Sequence, residues 1–310
     1  MTLPLKKILV TGSNGLLGQK IIYKLRQRKD VQAIATSKGE NRLLLTDGYI
    51  YESLDITNEA EVETVFAKHR PDVVINTAAM TNVDACEDKK EECYKLNTES
   101  VDIMVSAMEK IIPDSQFIHL STDFIFDGEK GPYSEEDIPN PLSYYGISKF
   151  ESETLVTESK LNWAIVRTII VYGIVDNMSR SNIVLWAKEA LTKGQKINVV
   201  DDQFRSPTLA EDLADGCIAI ADKKARGIFN LSGPEPMSIL ELVYKVADFW
   251  KLDKSVINPI KSNTLNQPAR RPPRTGFIIE KAKRELNYAP HSFEAGLRIL
   301  DEQLKVKSVH

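Results

Sequence analysis

The chain has 310 residues, of which 42% are hydrophobic and 27% are charged, and its formal net charge is −4. This composition is typical of a globular protein, and the weak negative charge argues against a nucleic-acid-binding surface, which usually carries a basic excess. The three cysteines lack the spacing of a disulfide framework or a zinc site. The sequence shows no signal-peptide core and no apolar run of the roughly 18 residues that a membrane helix requires. We therefore expect a cytoplasmic protein without nucleic-acid or membrane partners.

Short apolar runs alternate with amphipathic stretches through the first half of the chain. The predicted strands are residues 7–11, 31–36, 73–76, 116–120 and 163–167, and the predicted helices are residues 16–28, 59–69, 93–110 and 145–159. Such alternation is typical of βαβ units around a parallel sheet that is covered on both faces. The pattern predicts an α/β fold with a Rossmann-type doubly wound parallel sheet, formed by a domain over residues 1–172.

The alternation becomes irregular after about Gly173, where prolines and the basic run 270–274 interrupt it. We predict a smaller C-terminal substrate-binding region over residues 173–310, parts of which return to the first domain. No internal repeat or low-complexity linker separates the two regions, so we expect them to pack together with a cleft between them.

A glycine-rich loop, residues 11–18, joins the first predicted strand to the first predicted helix. Its three glycines allow a tight turn and close approach to a pyrophosphate, while the helix N-terminus offers free N–H groups to that anion. The spacing is GxxGxxG rather than GxGxxG, and such a loop also serves plain strand-to-helix packing. We predict dinucleotide binding by Gly12, Asn14, Gly15, Leu16, Leu17 and Gly18.

The second predicted strand is followed by Ser37 and Lys38, where an NAD-selective site usually carries an acidic residue for the ribose 2′-hydroxyl. A hydroxyl and a cation suit a 2′-phosphate instead, and Arg42 is a further candidate. The alternative is that Lys38 and Arg42 are solvated loop charges. We predict NADP(H) as the preferred cofactor, with NAD(H) as the alternative, and we expect Asp55 and Ile56 to border the adenine.

Tyr145 and Lys149 lie four residues apart on a predicted helix, so their side chains share one face. A nearby ammonium stabilises the phenolate and moves the tyrosine pKa from ~10 toward neutrality, which makes the phenol a general acid or base. Thr122 follows an apolar strand, at the edge where open α/β sheets bind ligands, and its hydroxyl can bond a substrate carbonyl. We predict Thr122, Tyr145 and Lys149 as the catalytic group, and Tyr144 is the weaker tyrosine candidate.

These motifs together resemble the dTDP-4-dehydrorhamnose reductase family of the extended short-chain dehydrogenase/reductases. The likeness covers nearly the whole chain and includes the glycine loop and residues 76–79, 121–128, 145–149, 167–168, 172–173, 202–203 and 206–208. It implies reduction of a nucleotide-linked 4-keto-6-deoxy sugar by a nicotinamide hydride and a proton from Tyr145, while Lys149 also holds the nicotinamide ribose. It further implies that Val83, Asp123, Phe124 and Ile170 line the sugar pocket and that Ala78, Ala79 and Asn97 line the cofactor side.

Three departures from the family pattern bear on the substrate. The family motif STDYVFDG has a tyrosine where this chain has Phe124, and the family run RTSW reads RTII at residues 167–170, which removes an indole. Arg205 stands where a glycine is common. We expect Arg205 either to bind the substrate diphosphate in a two-pronged, charge-assisted manner or to face solvent. The motifs therefore define the cofactor chemistry more closely than the sugar.

Other functions stay open at this point. A nucleotide-sugar dehydratase needs a carboxylate pair directly after the threonine, and Phe124 occupies the place of its glutamate. A 4-epimerase, or a reductase of another sugar or ketone, uses the same three catalytic residue types. A non-catalytic regulatory subunit is a further alternative, because a reductase-like relative regulates a methionine adenosyltransferase. A homodimer is left open, and the scattered histidines predict no catalytic metal.

Overall fold

The computed structural model of the protein describes residues 4–177 and 181–307. Its strands are β1 (Lys6–Thr11), β2 (Val31–Ser37), β3 (Ile50–Ser53), β4 (Val73–Asn76), β5 (Gln116–Thr122), β6 (Asn162–Thr168), β7 (Val171–Tyr172), β8 (Ile197–Val200), β9 (Phe204–Arg205), β10 (Thr208–Leu209), β11 (Gly227–Asn230), β12 (Met237–Ser238) and β13 (Ile257–Ile260). Its helices are α1 (Leu16–Leu25), α2 (Glu59–His69), α3 (Val83–Asp88), α4 (Lys90–Tyr94), α5 (Ser100–Ile111), α6 (Tyr144–Glu158), α7 (Ile183–Thr192), α8 (Ala210–Lys223), α9 (Ile239–Trp250), α10 (Glu280–Leu286) and α11 (Phe293–Lys307). A π-helical stretch at Lys95–Glu99 joins α4 to α5.

Within the described residues, seven strands form one parallel sheet in the order β11, β6, β5, β4, β1, β2, β3. Successive side chains of a strand point to opposite faces. Accordingly, Ile8 and Val10 of β1 belong to the core beneath α1 and α8, whereas Leu9 belongs to the core beneath α2 and α5. Both faces of the sheet are therefore covered. The predicted Rossmann-type doubly wound α/β fold is confirmed.

The predicted strands agree with the observed ones to within two residues at each end. The helix predicted at 93–110 is divided by the π-helical stretch, and the helix predicted at 16–28 ends at Leu25, because the polar residues that follow have no apolar side chain to pack. The sequence did not predict β3, whose residues are exposed or half-buried and form no apolar run.

Apart from the cores on the two faces of the sheet, a separate core, here called the second core, lies among α7, α9 and α11 and the strand pair β8–β13. Val184, Val243 and Leu297 are buried in it. Some residues beyond 172 belong to the sheet layer instead. The strand β11 pairs with β6 at one edge of the sheet, and α8 packs on α1. The domain division between residues 172 and 173 stays a prediction.

Two features are absent from the part of the chain that the structure describes. None of its helices is both long and apolar enough to span a membrane. The same residues include no group of three or more His, Cys, Asp or Glu side chains placed to hold a metal ion. The three cysteines are buried and are not joined by disulfide bonds.

Candidate active site

The N-terminus of α6 lies directly against the turn that follows β5. The side chain of Ser143 caps α6 by accepting a hydrogen bond from the Gly146 amide. A Cβ atom at Gly146 would lie 2.2 Å from the carbonyl oxygen of Phe124, so only glycine permits this approach. The contact brings Tyr145, at the start of α6, close to Thr122, the last residue of β5, whose hydroxyl donates to Oδ1 of Asp123 at 3.2 Å.

Tyr145 is buried, and the edge of the Phe124 ring meets it at a centroid distance of 5.7 Å. Burial raises the pKa of Tyr145 well above its usual range, and the nearby Thr122 hydroxyl opposes that rise. The prediction that Lys149 moves this pKa toward neutrality is therefore wrong, because burial dominates and the lysine contacts another group. A phenol that stays protonated at neutral pH is suited to giving a proton rather than taking one.

Lys149 lies one turn further along α6 and is 2% exposed. Its Nζ atom is 2.9 Å from Nε2 of His119, a residue inside β5. Burial lowers the pKa of Lys149 to about 8, and the carboxylate of Glu153 opposes that shift. Glu153 itself forms a buried ion pair with Arg167 at 2.8 Å. The amine and ammonium forms of Lys149 are therefore equally populated at about pH 8.

The glycine loop brings the ends of β1 and β4 into contact. Gly12 has a φ of 66°, and a Cβ atom there would lie 2.8 Å from the backbone of Ala78. A Cβ atom at Gly18 would lie 2.4 Å from the carbonyl oxygen of Gly12. Gly15 is the N-cap of α1 and has no side chain to cap it, which leaves the first amides of that helix to an anion. These features fit a dinucleotide pyrophosphate at the position that the sequence predicted, next to Leu16 and Leu17.

In the structure, the residues predicted to contact the adenosine ribose bond to other side chains and to the loop after β2. Lys38 and Asp55 form an ion pair at 2.7 Å, in which the lysine side chain is 81% exposed. The Asn14 side chain donates to the carbonyl of Glu40 and accepts from the amide of Arg42, so it holds the loop after β2. Ser37 ends β2. Ile56, predicted beside the adenine, is 5% exposed and packs in the core beneath α2.

On the other side of the glycine loop, Ala78 and Ala79 are half-buried in the loop that follows β4. Asn97, in the π-helical stretch, accepts from the amide of Met80 at 2.7 Å and donates to its carbonyl at 3.1 Å. It also donates to Ser148 Oγ of α6. Asn97 therefore fixes the shape of this loop through both polar atoms of its amide group.

Asp123 forms the centre of a buried polar cluster beside Thr122. Its carboxylate accepts from Thr275 Oγ1 at 2.5 Å and lies 3.4 Å from Nε of Arg205. Burial raises the pKa of Asp123, and the Arg205 guanidinium and the Thr275 hydroxyl oppose that rise. The predicted sugar-pocket residue is therefore bonded to a segment far along the chain.

Arg205 is 2% exposed, so the alternative that it faces solvent is wrong. Its guanidinium donates to the carbonyls of Phe204 and Pro272, each at 2.7 Å, besides its ion pair with Asp123. These contacts hold the 272–275 segment against the site. Contact with a substrate diphosphate would require Arg205 to give up bonds that it already makes.

The remaining two predicted sugar-pocket residues flank the site. Val83 begins α3 and packs in a small cluster with Tyr145, Cys86 and Cys93. Ile170 contacts both the sheet core and the second core, and its φ of 33° is unusual for a β-branched side chain. Several of the predicted residues thus lie at the carboxyl ends of β1, β2, β4 and β5 or in the turns that follow these strands, and several have structural partners.

Comparison with known proteins adds the evidence that decides the family. Residues 6–305 match the family model described as the RmlD substrate binding domain. The chain belongs to this family. The resemblance to dTDP-4-dehydrorhamnose reductases indicated by the motifs is confirmed.

Individual relatives of this RmlD-family chain carry two kinds of name. The spore coat polysaccharide biosynthesis protein SpsK of Bacillus subtilis is 29% identical over 94% of this chain and 95% of its own length. The methionine adenosyltransferase 2 subunit beta of Bos taurus is 29% identical over 84% of this chain and 77% of its own length.

Solved structures give a consistent picture of the fold. A dTDP-4-dehydrorhamnose reductase from Clostridium acetobutylicum has a TM-score of 0.83 and 29% identity, over 96% of this chain and 99% of that one. A hypothetical dTDP-4-dehydrorhamnose reductase from Sulfolobus tokodaii has a TM-score of 0.82 and 31% identity, over 94% and 98%. A dTDP-4-dehydrorhamnose reductase from Bacillus anthracis, in complex with NADP, has a TM-score of 0.84 and 26% identity, over 96% and 99%.

Sequence reasoning missed several residues of this RmlD-family site. The sequence motifs give no role to His119, which contacts Lys149. Thr275 was given no role, and Arg271, which pairs with Asp84 at 2.7 Å, was noted only as part of a basic run. A histidine inside an otherwise apolar strand was the one available signal, since the long-range partners of residues 271 and 275 have no local pattern.

Proposed function

We propose that this chain is an NAD(P)H-dependent reductase of nucleotide-linked 4-keto-6-deoxy sugars. The observation that carries the proposal is the buried pair of Tyr145 and Thr122, with Lys149 one helical turn away. The glycine loop and the uncapped N-terminus of α1 follow β1 at the same edge of the sheet. The names of the relatives support this reaction class, and one of those relatives was solved with NADP.

In the proposed reaction, the Tyr145 hydroxyl donates to the substrate carbonyl oxygen and polarises its double bond. The Thr122 hydroxyl, which donates to Asp123 Oδ1 in this structure, turns to the same oxygen. A bound reduced nicotinamide supplies the hydride that the carbonyl carbon accepts. Tyr145 gives its proton to the carbonyl oxygen, so that the product is an alcohol and the phenolate is then reprotonated from solvent. The raised pKa of Tyr145 keeps the phenol loaded with this proton before each turnover.

For the cofactor we propose NADP(H) in preference to NAD(H). Ser37 and the exposed Lys38 end β2 in place of an acidic ribose ligand, and they offer a hydroxyl and a cation to a 2′-phosphate. Lys38 is paired with Asp55, and a bound 2′-phosphate competes with that carboxylate for the same ammonium. The preference is therefore expected to weaken as salt screens the exposed charges.

For the substrate pocket we propose Val83, Asp123, Phe124 and Ile170 as lining residues. Asp123 and Phe124 directly follow Thr122, and Phe124 packs on Tyr145, so both border the reacting carbonyl. Phe124 carries no carboxylate, which argues against the paired acid and base that a dehydratase needs. The apolar ring favours a sugar whose 6-position is a methyl group.

The deciding experiment measures NADPH oxidation with dTDP-, UDP- and GDP-linked 4-keto-6-deoxy sugars and with simple ketones. We expect turnover with a nucleotide-linked keto sugar, and we expect Tyr145→Phe to reduce kcat by at least ~10²-fold with little change in NADPH affinity. Tyr144→Phe is the matched control and retains activity. Turnover of simple ketones alone would overturn the sugar assignment.

A second candidate is a regulatory subunit, which the relatives named methionine adenosyltransferase 2 subunit beta favour. Such a role needs neither the buried Tyr145–Thr122 pair nor the buried Lys149. Co-purification with a methionine adenosyltransferase catalytic subunit, together with absence of turnover on every keto sugar tested, is the result that selects this candidate.

A further inference from the structure

A continuous row of buried polar side chains runs from β1 to Lys149. Thr11 Oγ1 donates to Asn76 Oδ1 at 2.6 Å, Asn76 Nδ2 lies 3.1 Å from His119 Nδ1, and His119 Nε2 lies 2.9 Å from Lys149 Nζ. These four side chains are at most 2% exposed. Polar groups buried in this way are held by their hydrogen bonds, so each partner restricts the orientation and protonation of the next.

The orientation of the Asn76 amide is fixed by two donors. Its Oδ1 atom accepts from the Thr11 hydroxyl and from the backbone N–H of Ala78 at 3.2 Å. An N–H can bond only the oxygen of this amide, so the nitrogen must face His119. Asn76 therefore donates a hydrogen bond to Nδ1 of His119.

This donation selects one form of the imidazole. Because Nδ1 accepts, the single proton of a neutral imidazole must lie on Nε2. Burial holds the pKa of His119 well below its usual value, and the charge of Lys149 adds to that shift, so the doubly protonated ring does not form near neutral pH. His119 is consequently a neutral ring that presents an N–H at Nε2.

The Nε2–H group faces two acceptors, Ser152 Oγ at 2.9 Å and Lys149 Nζ at 2.9 Å. Ser152 donates its own proton to the carbonyl of Lys149, which leaves its oxygen free to accept. Lys149 can accept only as a neutral amine, because an ammonium has no lone pair. An ammonium would place two donors against each other at this distance.

We infer that His119 is a positioning residue, which orients the Lys149 side chain and favours its neutral amine through the Nε2–H group that Asn76 selects. The inference rests on the proposed function, since it assigns His119 a role in the same reductase site. It also links the charge of Lys149 to the Ala78 amide, in the loop that the family resemblance places on the cofactor side.

Other charged and titratable groups face Lys149 and act on the same equilibrium. Glu153 on α6 and Cys93 on α4 favour the ammonium, and the charge of Glu153 is partly used by its pair with Arg167 of β6. Tyr145 lies on the same helix. Burial and the His119 Nε2–H group both disfavour the ammonium form of Lys149. Removing the Nε2–H group alone is therefore expected to raise the pKa of Lys149.

The test uses His119→Gln and Asn76→Asp in the full chain. The glutamine amide can turn its oxygen toward an ammonium, and the aspartate carboxylate draws the imidazole proton to Nδ1, which leaves Nε2 as an acceptor. We expect each variant to raise the pH midpoint assigned to Lys149 by about one unit or more. A shift of one unit corresponds to a roughly tenfold increase in the proton affinity of the lysine. The midpoint is measured in the pH dependence of the NADPH dissociation constant and of kcat.

A ¹⁵N spectrum of histidine-labelled protein tests the tautomer without any ligand. We expect a neutral Nε2–H signal assigned to His119 in the wild type, loss of that signal in His119→Gln, and an Nδ1–H signal for His119 in Asn76→Asp. The matched control is His69→Gln, at the C-terminal end of α2 beside Glu52, which should leave the midpoint unchanged.

Two results would overturn the inference: an Nδ1–H tautomer of His119 in the wild type, or an unshifted midpoint in both folded variants. A uniform loss of activity without a shift counts as an unshifted midpoint and indicates a merely structural role. Failure of the proposed function is distinguishable, because it appears as absence of keto-sugar turnover in the wild type while the spectrum and the NADPH titration remain readable.

Discussion

At the scale of single residues, Lys149 joins the chemistry of the site to the stability of the fold. It is buried beside His119, and burial lowers its pKa from 10.5 to about 8. Between those two values the unfolded chain binds a proton that the folded chain has lost, so this residue makes stability rise with pH across that window. Below about pH 8 both states are charged, and the full cost of burying the ammonium is present.

Lys149→Met is therefore expected to stabilise the protein at pH 7 while it impairs turnover. The expected gain is about 3 kcal/mol, because a shift of one pKa unit corresponds to ~1.4 kcal/mol. The gain should decrease as the pH rises from about 8 to 10.5, which urea unfolding of both proteins across that range measures. A gain that grows with pH would contradict the assignment.

The sequence predicted which side chains meet at the site but not what charge they carry. The four-residue spacing of Tyr145 and Lys149 identified the pair, because helical geometry alone places them on one face. The direction of the Tyr145 pKa shift was wrong, because desolvation depends on Phe124 and on the elements packed around it. Arg205 likewise has partners from residues 272 and 273 that no local pattern reveals.

At the scale of elements, the site depends on how closely α6 approaches the turn after β5. Gly146 permits this contact, and the cap by Ser143 fixes where the helix begins. In an ordinary helix alanine is preferred over glycine by about 1 kcal/mol. Here the added Cβ atom would overlap the Phe124 carbonyl, so packing reverses the usual preference.

We expect Gly146→Ala to lower Tm and to reduce kcat at least tenfold, because α6 must move away from Thr122. Ile147→Ala changes the next residue, which is 39% exposed, and serves as the control that leaves both quantities nearly unchanged. Thermal melts and NADPH oxidation assays measure the two effects. A Gly146→Ala protein with raised Tm and normal kcat would show that the contact is unnecessary.

The ion pair of Arg205 and Asp123 ties the 272–275 segment to the end of β5. Removing one partner of a buried pair typically costs about 3–5 kcal/mol, because the other charge is left buried and unpaired. We expect Arg205→Met and Asp123→Asn each to lower the unfolding free energy by that order, and the double variant to lose less than the sum. Urea unfolding of the wild type and the three variants gives a double-mutant cycle. Strictly additive losses of unfolding free energy would show that the two charges are independent.

At the scale of the whole molecule, cofactor preference can be measured through stability. A ligand that binds only the folded state stabilises it by about 2.7 kcal/mol when its concentration is 100 times its dissociation constant. We expect NADPH to raise Tm more than NADH at equal concentration, and Lys38→Ala to remove most of that difference. Lys68→Ala, an exposed lysine paired with Glu52, is the matched control. A larger shift with NADH in the wild type would reverse the proposed preference.

The sequence predicted the architecture of the molecule more fully in its first half than in its second. The first half repeats strand and helix, and each buried strand reads as an apolar run. Beyond Gly173 the strands are short, and several of them pair with segments remote in the chain, such as β8 with β13. Pairings of that kind leave no periodicity in the sequence, so the second core could not be predicted from residue patterns.

The position of β11 also constrains when the protein can finish folding during synthesis. This strand completes one edge of the sheet beside β6, yet it is made after α7 and α8. Until residue 230 has left the ribosome, β6 offers an unpaired edge on which other nascent chains can assemble. A fragment that stops at residue 172 would keep that edge open permanently, and we expect it to aggregate rather than to fold as an independent cofactor-binding unit.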